Sequence, residues 1–162
     1  MPKDPLVILA QFGIPYERYD HPAVFTCEEA EEKASFVPGV PAKNLFLESG
    51  KSGKIYLVTL TYNKRANLKH LSEFLGEKKL HFGSAEKLLA VLGVTPGAVS
   101  PLGLVNDEQH AVTYVLDRDF LQEELINMHP NDNTASLVLA VPDFLRFLDH
   151  IGCSPHMYRA SR

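Results

Sequence analysis

The stretch NLFLESGKSGKIYLVTLT, residues 44–61, decides the fold of this chain. It contains two apolar runs, 44–48 and 54–61. The five residues between them, 49–53, are serine, glycine and lysine, which is typical of a hairpin turn. The stretch therefore predicts two adjacent strands, with Lys43 at the start of the first.

Outward from this hairpin, helices and strands alternate irregularly. Caps and apolar periodicity predict helices at 5–12, 27–35, 67–75, 84–92 and 142–151, a short helix near Asp119, and strands at 15–20, 80–82, 111–117 and 136–141. Segments 36–42 and 95–103 are predicted to be loops. This order favours an α+β domain with a mixed or antiparallel sheet over a doubly wound fold. Without a repeat or a linker, residues 1–162 are predicted to form a single domain.

The composition excludes several classes of protein. A hydrophobic fraction of 45% is that of an ordinary globular protein, and a net charge of −4 argues against non-specific coating of nucleic acid. The longest apolar stretches are far shorter than the about 20 residues that cross a bilayer. The first residues do not follow the pattern of a signal peptide. We therefore expect a cytoplasmic protein, with Cys27 and Cys153 as reduced thiols. A monomer is expected as well.

Three separate segments carry the polar chemistry that one small ligand would need. They are Lys43-Asn44, the loop from Gly97 to Pro101 with Gly103 behind it, and His129-Pro130 leading to Asn133-Thr134. Together and in this order they resemble the YbaK/prolyl-tRNA-editing family, whose free-standing members hydrolyse the ester between a wrong amino acid and tRNA for proline. The resemblance implies a curved, partly barrel-like sheet with helices packed outside.

Hydrolysis of an aminoacyl ester requires a placed water, a held ester and a stabilised oxyanion rather than a covalent nucleophile. With the resemblance, Lys43 is interpreted as the cation for the terminal phosphate or the developing negative charge. Asn44 is its hydrogen-bonding neighbour. His129 acts either as a base or as a positioning group. The family implies that the terminal ribose hydroxyl of the substrate helps to activate the water.

Other residues are predicted to surround the substrate. A synthetase site that binds proline cannot strongly reject a smaller amino acid, because each missing methylene lowers the binding free energy by only about 1–3 kcal/mol. A second pocket, in the editing protein, must therefore admit alanine and exclude proline. Backbone groups of the glycine-containing loop are expected to hold the oxyanion. The predicted binding residues are Gly97, Ala98, Val99, Ser100, Pro101 and Gly103 of the loop, with Phe46 and Val58 as walls of the pocket.

The pair Lys43-Asn44 resembles the branch of the family that removes alanine, whereas the cysteine-removing branch more often has threonine after the lysine. The prediction is therefore trans-editing of tRNA(Pro) that carries alanine. One alternative keeps the fold and the chemistry but changes the amino acid to cysteine, serine or threonine. Another is a non-catalytic RNA-binding or regulatory module that keeps the pocket as a ligand sensor.

The expected partner is the acceptor end of a mischarged tRNA, with transient contact to prolyl-tRNA synthetase or an elongation factor. Lys78 and Lys79 are predicted to touch the acceptor stem, and Lys64-Arg65 with Lys69 form a second basic candidate.

No cofactor or metal is expected from the sequence. The spacing His150-x-x-Cys153-x-x-His156 offers three potential ligands, but Gly152 and Pro155 interrupt it and no fourth ligand is evident.

Overall fold

The computed structural model describes residues 3–24, 28–29, 32 and 34–159. Part of the helix predicted at 27–35, including Cys27, lies outside these ranges. The strands are β1 (Glu17–Asp20), β2 (Val40–Ser49), β3 (Ile55–Thr61), β4 (Leu80–Phe82), β5 (Val112–Asp117), β6 (Leu125–Met128), β7 (Ala135–Ala140) and β8 (His156–Tyr158). The labelled α-helices are α1 (Pro5–Gln11), α2 (Leu68–Leu75), α3 (Ala85–Leu92) and α4 (Val141–His150). Short 3₁₀ turns cover Pro96–Ala98, Pro101–Asn106 and Arg118–Gln122.

These strands form one mixed sheet of eight strands in the order β1-β7-β6-β2-β3-β5-β8, with β4 added to β2. Parallel pairings, β2 with β6, β3 with β5 and β5 with β8, accompany the antiparallel ones. Among the described strands, β1 and β8 end the order, so the sheet is not closed. The predicted α+β class with a mixed sheet is confirmed.

Local capping explains where the helices begin and end. The side chain of Asn67 accepts a hydrogen bond from His70 N at the start of α2, and Gly76 ends that helix with φ 68°. Ser84 caps α3 in the same way, accepting from Lys87 N, and Gly93 ends it with φ 70°. Both helices lie where their caps predict them.

The strands alternate their side chains between two apolar cores. Phe46 and Leu57 face the larger core, which α1, α3 and α4 cover with residues such as Leu9, Leu92 and Phe144. Leu45 and Val58 face the smaller core on the other side of the sheet, beneath Leu71 of α2. The hairpin is therefore buried on both faces, which explains why its two strands are apolar almost throughout.

Several element predictions were wrong in detail. Strand β2 begins at Val40, so residues 40–42 are not loop and Lys43 lies inside the strand. Pro41 is tolerated there because its carbonyl accepts from Tyr62 N at 3.1 Å, a bond that needs no proline N–H. The helix predicted near Asp119 is a 3₁₀ turn. Strands β6 and β8, of four and three residues, were not predicted.

One edge of β2 changes its partner along its length. Val40 and Pro41 pair with β6, whereas residues 47–49 pair with β4. Among the described strands, residues 42–45 pair with β3 alone. A gap therefore opens beside the middle of β2, between the ends of β6 and β4.

Candidate active site

A cavity of about 670 Å³ occupies the gap beside β2. This volume is within the range of roughly 300–1,000 Å³ that small-molecule sites usually have. Its walls come from β2, from the end of β6, from the loop before the second 3₁₀ turn and from the turn after β3. The polar or loop residues that line it include Lys43, Asn44, Tyr62, Gly97, Val99, Asn127, His129 and Ser136. The structure thus brings together residues from all three segments singled out in the sequence.

The ammonium of Lys43 is held by a backbone carbonyl. Its Nζ donates to the carbonyl oxygen of Lys64 at 3.0 Å, and the side chain is half-buried at the cavity wall. An ammonium has three N–H donors, so this bond fixes one of them and leaves two for a ligand. A positive charge is thereby placed where an anionic group of a ligand would be attracted.

Asn44 links the sheet to the glycine-containing loop. Its Nδ2 donates to the carbonyl oxygen of Val99 at 3.3 Å, and its Oδ1 accepts from Thr59 Oγ1 at 2.6 Å. The hydroxyl of buried Tyr114 donates to the same Thr59 oxygen at 2.7 Å. Burial raises the pKa of Tyr114, so this hydroxyl keeps its proton. A chain of hydrogen bonds therefore orients the amide from inside the core.

The backbone of Asn44 also faces the gap. Tyr62 N donates to Pro41 O across the hairpin, whereas Gly83 N donates to Phe46 O on the opposite edge. Backbone groups of an antiparallel strand point alternately to its two sides, so odd-numbered residues of this stretch face β3 and even-numbered residues face away from it. The N–H and C=O of Asn44 consequently point into the gap beside β2.

The loop from Gly97 to Pro101 presents only part of itself to the cavity. Gly97 and Val99 line the wall, whereas Ala98, Ser100 and Pro101 are buried behind it. Ser100 Oγ accepts from Leu102 N at 3.2 Å and starts the second 3₁₀ turn. At Gly103 a Cβ atom would lie 3.3 Å from Leu92 Cβ, so glycine here permits close packing against α3. Gly103 supports the loop and is absent from the cavity wall.

His129 lies at the cavity wall beyond the end of β6. Its Nδ1 lies 3.0 Å from the carbonyl oxygen of Ala135, which places the proton on Nδ1 and leaves a lone pair on Nε2. Burial lowers the pKa of His129, and the bond to Ala135 opposes this. The nearby His21 also lowers this pKa. The imidazole is therefore neutral at pH 7 and can accept a proton.

His21 and Ser136 form a second polar pair beside His129. His21 Nδ1 donates a hydrogen bond to Pro22 O at 2.9 Å, and His21 Nε2 accepts one from Ser136 Oγ at 2.9 Å. The rings of His21 and His129 have centroids 6.2 Å apart. Because its proton is directed to His21, the Ser136 oxygen presents acceptor capacity to the cavity.

Four further predicted site residues also lie away from the cavity wall. Phe46 packs against Gly83, where an added Cβ would come within 2.6 Å of the ring, and Val58 belongs to the smaller core. Lys78 and Lys79 are exposed beside the hairpin turn, where Gly50 N donates to Lys79 O. That turn is roughly 20 Å from Lys43 at about 3.3 Å per strand residue.

One residue of the second basic candidate, Lys64, was wrongly predicted to be free for RNA. Lys64 is buried, with its Nζ 2.7 Å from carboxylate oxygens of both Asp117 and Asp119, so it cannot contact RNA. Sequence reading also missed Asn127, which lies on β6, a strand that was not predicted. Tyr62 was missed as well, although its place directly after an apolar strand was a usable signal.

Neither a metal cluster nor a membrane span is present in the part of the chain that the structure describes. No three His, Cys, Asp or Glu side chains there are grouped to hold an ion. None of the helices in that part is both long and apolar enough to span a bilayer.

Comparison with known proteins gives one consistent family. Residues 21–147 match the model of the aminoacyl-tRNA editing domain. The prolyl-tRNA editing protein ProX of Acetoanaerobium sticklandii is 37% identical over 139 residues, 83% of this chain and 82% of that protein. The prolyl-tRNA synthetase associated domain-containing protein 1 of Bos taurus is 36% identical over 151 residues, 91% of this chain and 88% of that protein.

A solved structure, of a candidate trans-editing enzyme for prolyl tRNA synthetase, has the same fold. It superposes with a TM-score of 0.72 over 96% of this chain and 93% of that one, at 20% identity. The family match and the identities of the two relatives confirm the resemblance inferred from the residues. This chain belongs to the aminoacyl-tRNA editing domain family and is an aminoacyl-tRNA deacylase.

Proposed function

We propose that this chain edits tRNA(Pro) in trans, hydrolysing the ester of wrongly attached alanine without a metal ion. The convergence of Lys43, Asn44, Val99 and His129 on one cavity carries the proposal. It is supported by the relative named a prolyl-tRNA editing protein, which is 37% identical over 139 residues.

The cavity groups match the requirements of ester hydrolysis. The Lys43 ammonium is placed to attract the terminal phosphate or the negative charge that develops in the transition state. The backbone N–H of Asn44 points into the gap and is placed to act as a fixed dipole for the carbonyl oxygen, and the N–H groups of Gly97 and Val99, which line the wall, are proposed to add to it. The Nε2 lone pair of His129 accepts a hydrogen bond from the attacking water or from the ribose hydroxyl. No covalent intermediate is needed.

The amino acid is assigned from the pair Lys43-Asn44. The Asn44 amide is bonded to both Thr59 and Val99, so its side chain fills part of the space between β2 and the loop. We expect this filled wall to leave room for a small side chain such as that of alanine. Cysteine and serine esters are the competing substrates, because their side chains exceed alanine by a single heavy atom.

The deciding experiment is deacylation of a panel of tRNAs charged with alanine, cysteine, serine, threonine or proline, each measured with EDTA present. We expect release of alanine from tRNA(Pro), with correctly charged Pro-tRNA(Pro) largely intact. Activity that disappears in EDTA and returns with zinc would overturn the metal-free mechanism. A preference for another amino acid would overturn only the substrate, and tight binding without hydrolysis of any ester would favour the binding module.

A further inference from the structure

We propose that the buried ion pair of Lys64 with Asp117 is a positioning device for the Lys43 ammonium. This inference rests on the proposed function, because it assumes that Lys43 acts on the substrate. The carbonyl that holds Lys43 Nζ belongs to Lys64, a residue whose own side chain points into the protein and not into the cavity.

Lys64 is an unusual lysine. Only 2% of the residue is exposed, and its Nζ lies 2.7 Å from carboxylate oxygens of Asp117 and Asp119. Lysine is almost never fully buried unless it is paired, because moving an ammonium from water into the protein interior costs free energy. A solvated lysine at the tip of a turn would avoid that cost. The buried arrangement therefore indicates that the exact position of this turn matters.

Asp117 holds both ends of the turn that carries Lys64. One of its carboxylate oxygens accepts from Thr61 N at 3.1 Å, and the carboxylate binds Lys64 Nζ at 2.7 Å. Lys64 N also donates back to Thr61 O at 3.1 Å, which closes the turn on itself. The carboxylate is fully buried at the end of β5, so the turn is fixed to the sheet.

The fixed turn places two groups at the cavity. Its tip carries Tyr62, which lines the wall, and its last carbonyl receives the hydrogen bond from Lys43. Lys43 has a flexible four-carbon stem, so without a fixed acceptor its ammonium would sample several rotamers. A misplacement of about 1 Å at a reacting centre can cost roughly 100-fold in rate. A fixed Lys64 carbonyl therefore fixes the position of the Lys43 ammonium.

The test is a double-mutant cycle that separates positioning from general stability. Lys64→Met combined with Asp117→Asn removes both charges of the pair, and its single-turnover rate is measured with Lys43 present and in a Lys43→Ala background. We expect the double change to lower the single-turnover rate about 10- to 100-fold when Lys43 is present, and less than threefold in the Lys43→Ala background. Val115→Ala, a fully buried change on the same strand, is the control for destabilisation alone and should leave the rate unchanged below its melting temperature.

A second measurement does not depend on activity. Reductive methylation followed by mass spectrometry reports how freely each lysine reacts, and exposed Lys69 serves as the internal reference. We expect Lys43 to react faster relative to Lys69 once the pair is removed. If the double change prevents folding, the single change Asp119→Asn is carried through both measurements, with a smaller effect in the same direction.

The outcomes are distinct. An equal loss of rate in both backgrounds, or an unchanged Lys43 labelling ratio, would overturn the positioning role while leaving the proposed function in place. If Lys43→Ala alone hydrolyses the ester at the parental rate, the proposed site itself is wrong, and the inference falls with it.

Discussion

The side-chain amide of Asn44 donates to the backbone carbonyl of Val99 at 3.3 Å and so ties β2 to the opposite wall of the cavity. The two residues are 55 positions apart in the sequence. The same amide is oriented from behind by Thr59, whose hydroxyl donates to it at 2.6 Å. The side chain of Asn44 therefore joins β2 to the loop, while its backbone N–H and C=O face the cavity.

We expect Asn44→Ala to slow deacylation by about 100-fold, because the loop loses its tether and the dipoles of the cavity move relative to one another. The change also leaves the Thr59 hydroxyl without the oxygen that accepts its hydrogen bond, which lowers the free energy of unfolding by about 1–3 kcal/mol. Single-turnover rates and urea unfolding measure the two effects separately.

Thr59→Val is the matched control for this prediction. It removes the hydroxyl that orients the amide, but it leaves the bond from Asn44 to Val99 in place. The variant should lose a similar amount of stability while keeping its rate within a few-fold of the parent. If both variants lose the same activity, the tether to Val99 has no special role.

Lys43 gives a separate prediction. Lys43→Ala should reduce the single-turnover rate by the roughly 10²–10³-fold that loss of one electrostatic donor costs, with an unchanged melting temperature. Lys43→Arg should restore little, because a planar guanidinium does not replace a compact ammonium bonded to the Lys64 carbonyl. Lys3→Ala, at an exposed lysine before α1, is the control. Variants that melt and react like the parent would place the active site elsewhere.

Much of the fold is readable from the sequence because it is decided locally. The hairpin depends on adjacent residues, and α2 and α3 depend on caps such as Asn67 and Ser84 that act within three residues. The family resemblance also follows from short segments. These features need no knowledge of distant pairing.

The remaining features depend on distant contacts. The cavity exists because β2 exchanges β6 for β4 along one edge, and residues 40–41 find 126–127 only in the folded chain. The burial of Lys64 depends on Asp117, 53 residues away. Phe46 was placed in the pocket because it is near Lys43 in sequence, yet it packs against Gly83. Closeness to Lys43 in the sequence does not reveal which residues of β2 face the cavity.

The role of Lys78 and Lys79 in binding RNA is tested by salt dependence. Replacing both with alanine should raise the apparent KM for charged tRNA and flatten its dependence on salt, because two phosphate contacts would be lost. The double change Lys3→Ala with Lys87→Ala removes the same charge from exposed ion pairs elsewhere and should leave the slope unaltered. Equal slopes for all three proteins would assign Lys78 and Lys79 to the solvated surface alone.

The state of His129 predicts how the reaction depends on pH. Burial lowers the pKa of this imidazole below its ordinary 6.5, so the neutral form persists to more acidic pH than in a free histidine. Protonation would place a proton on Nε2 and remove the lone pair that faces the cavity. We therefore expect the rate, corrected for enzyme-free hydrolysis, to fall on acidification with a midpoint below pH 6.5.

His129→Gln tests this assignment, because glutamine keeps a hydrogen-bonding side chain of similar reach but does not titrate. If Nε2 acts as the acceptor of a proton, the variant should be slower at pH 7 and its rate should no longer fall at low pH. If histidine only positions the substrate, the variant should keep much of its rate and also lose the acidic fall. A variant that retains the same fall with the same midpoint would show that another group, such as the substrate, titrates in its place.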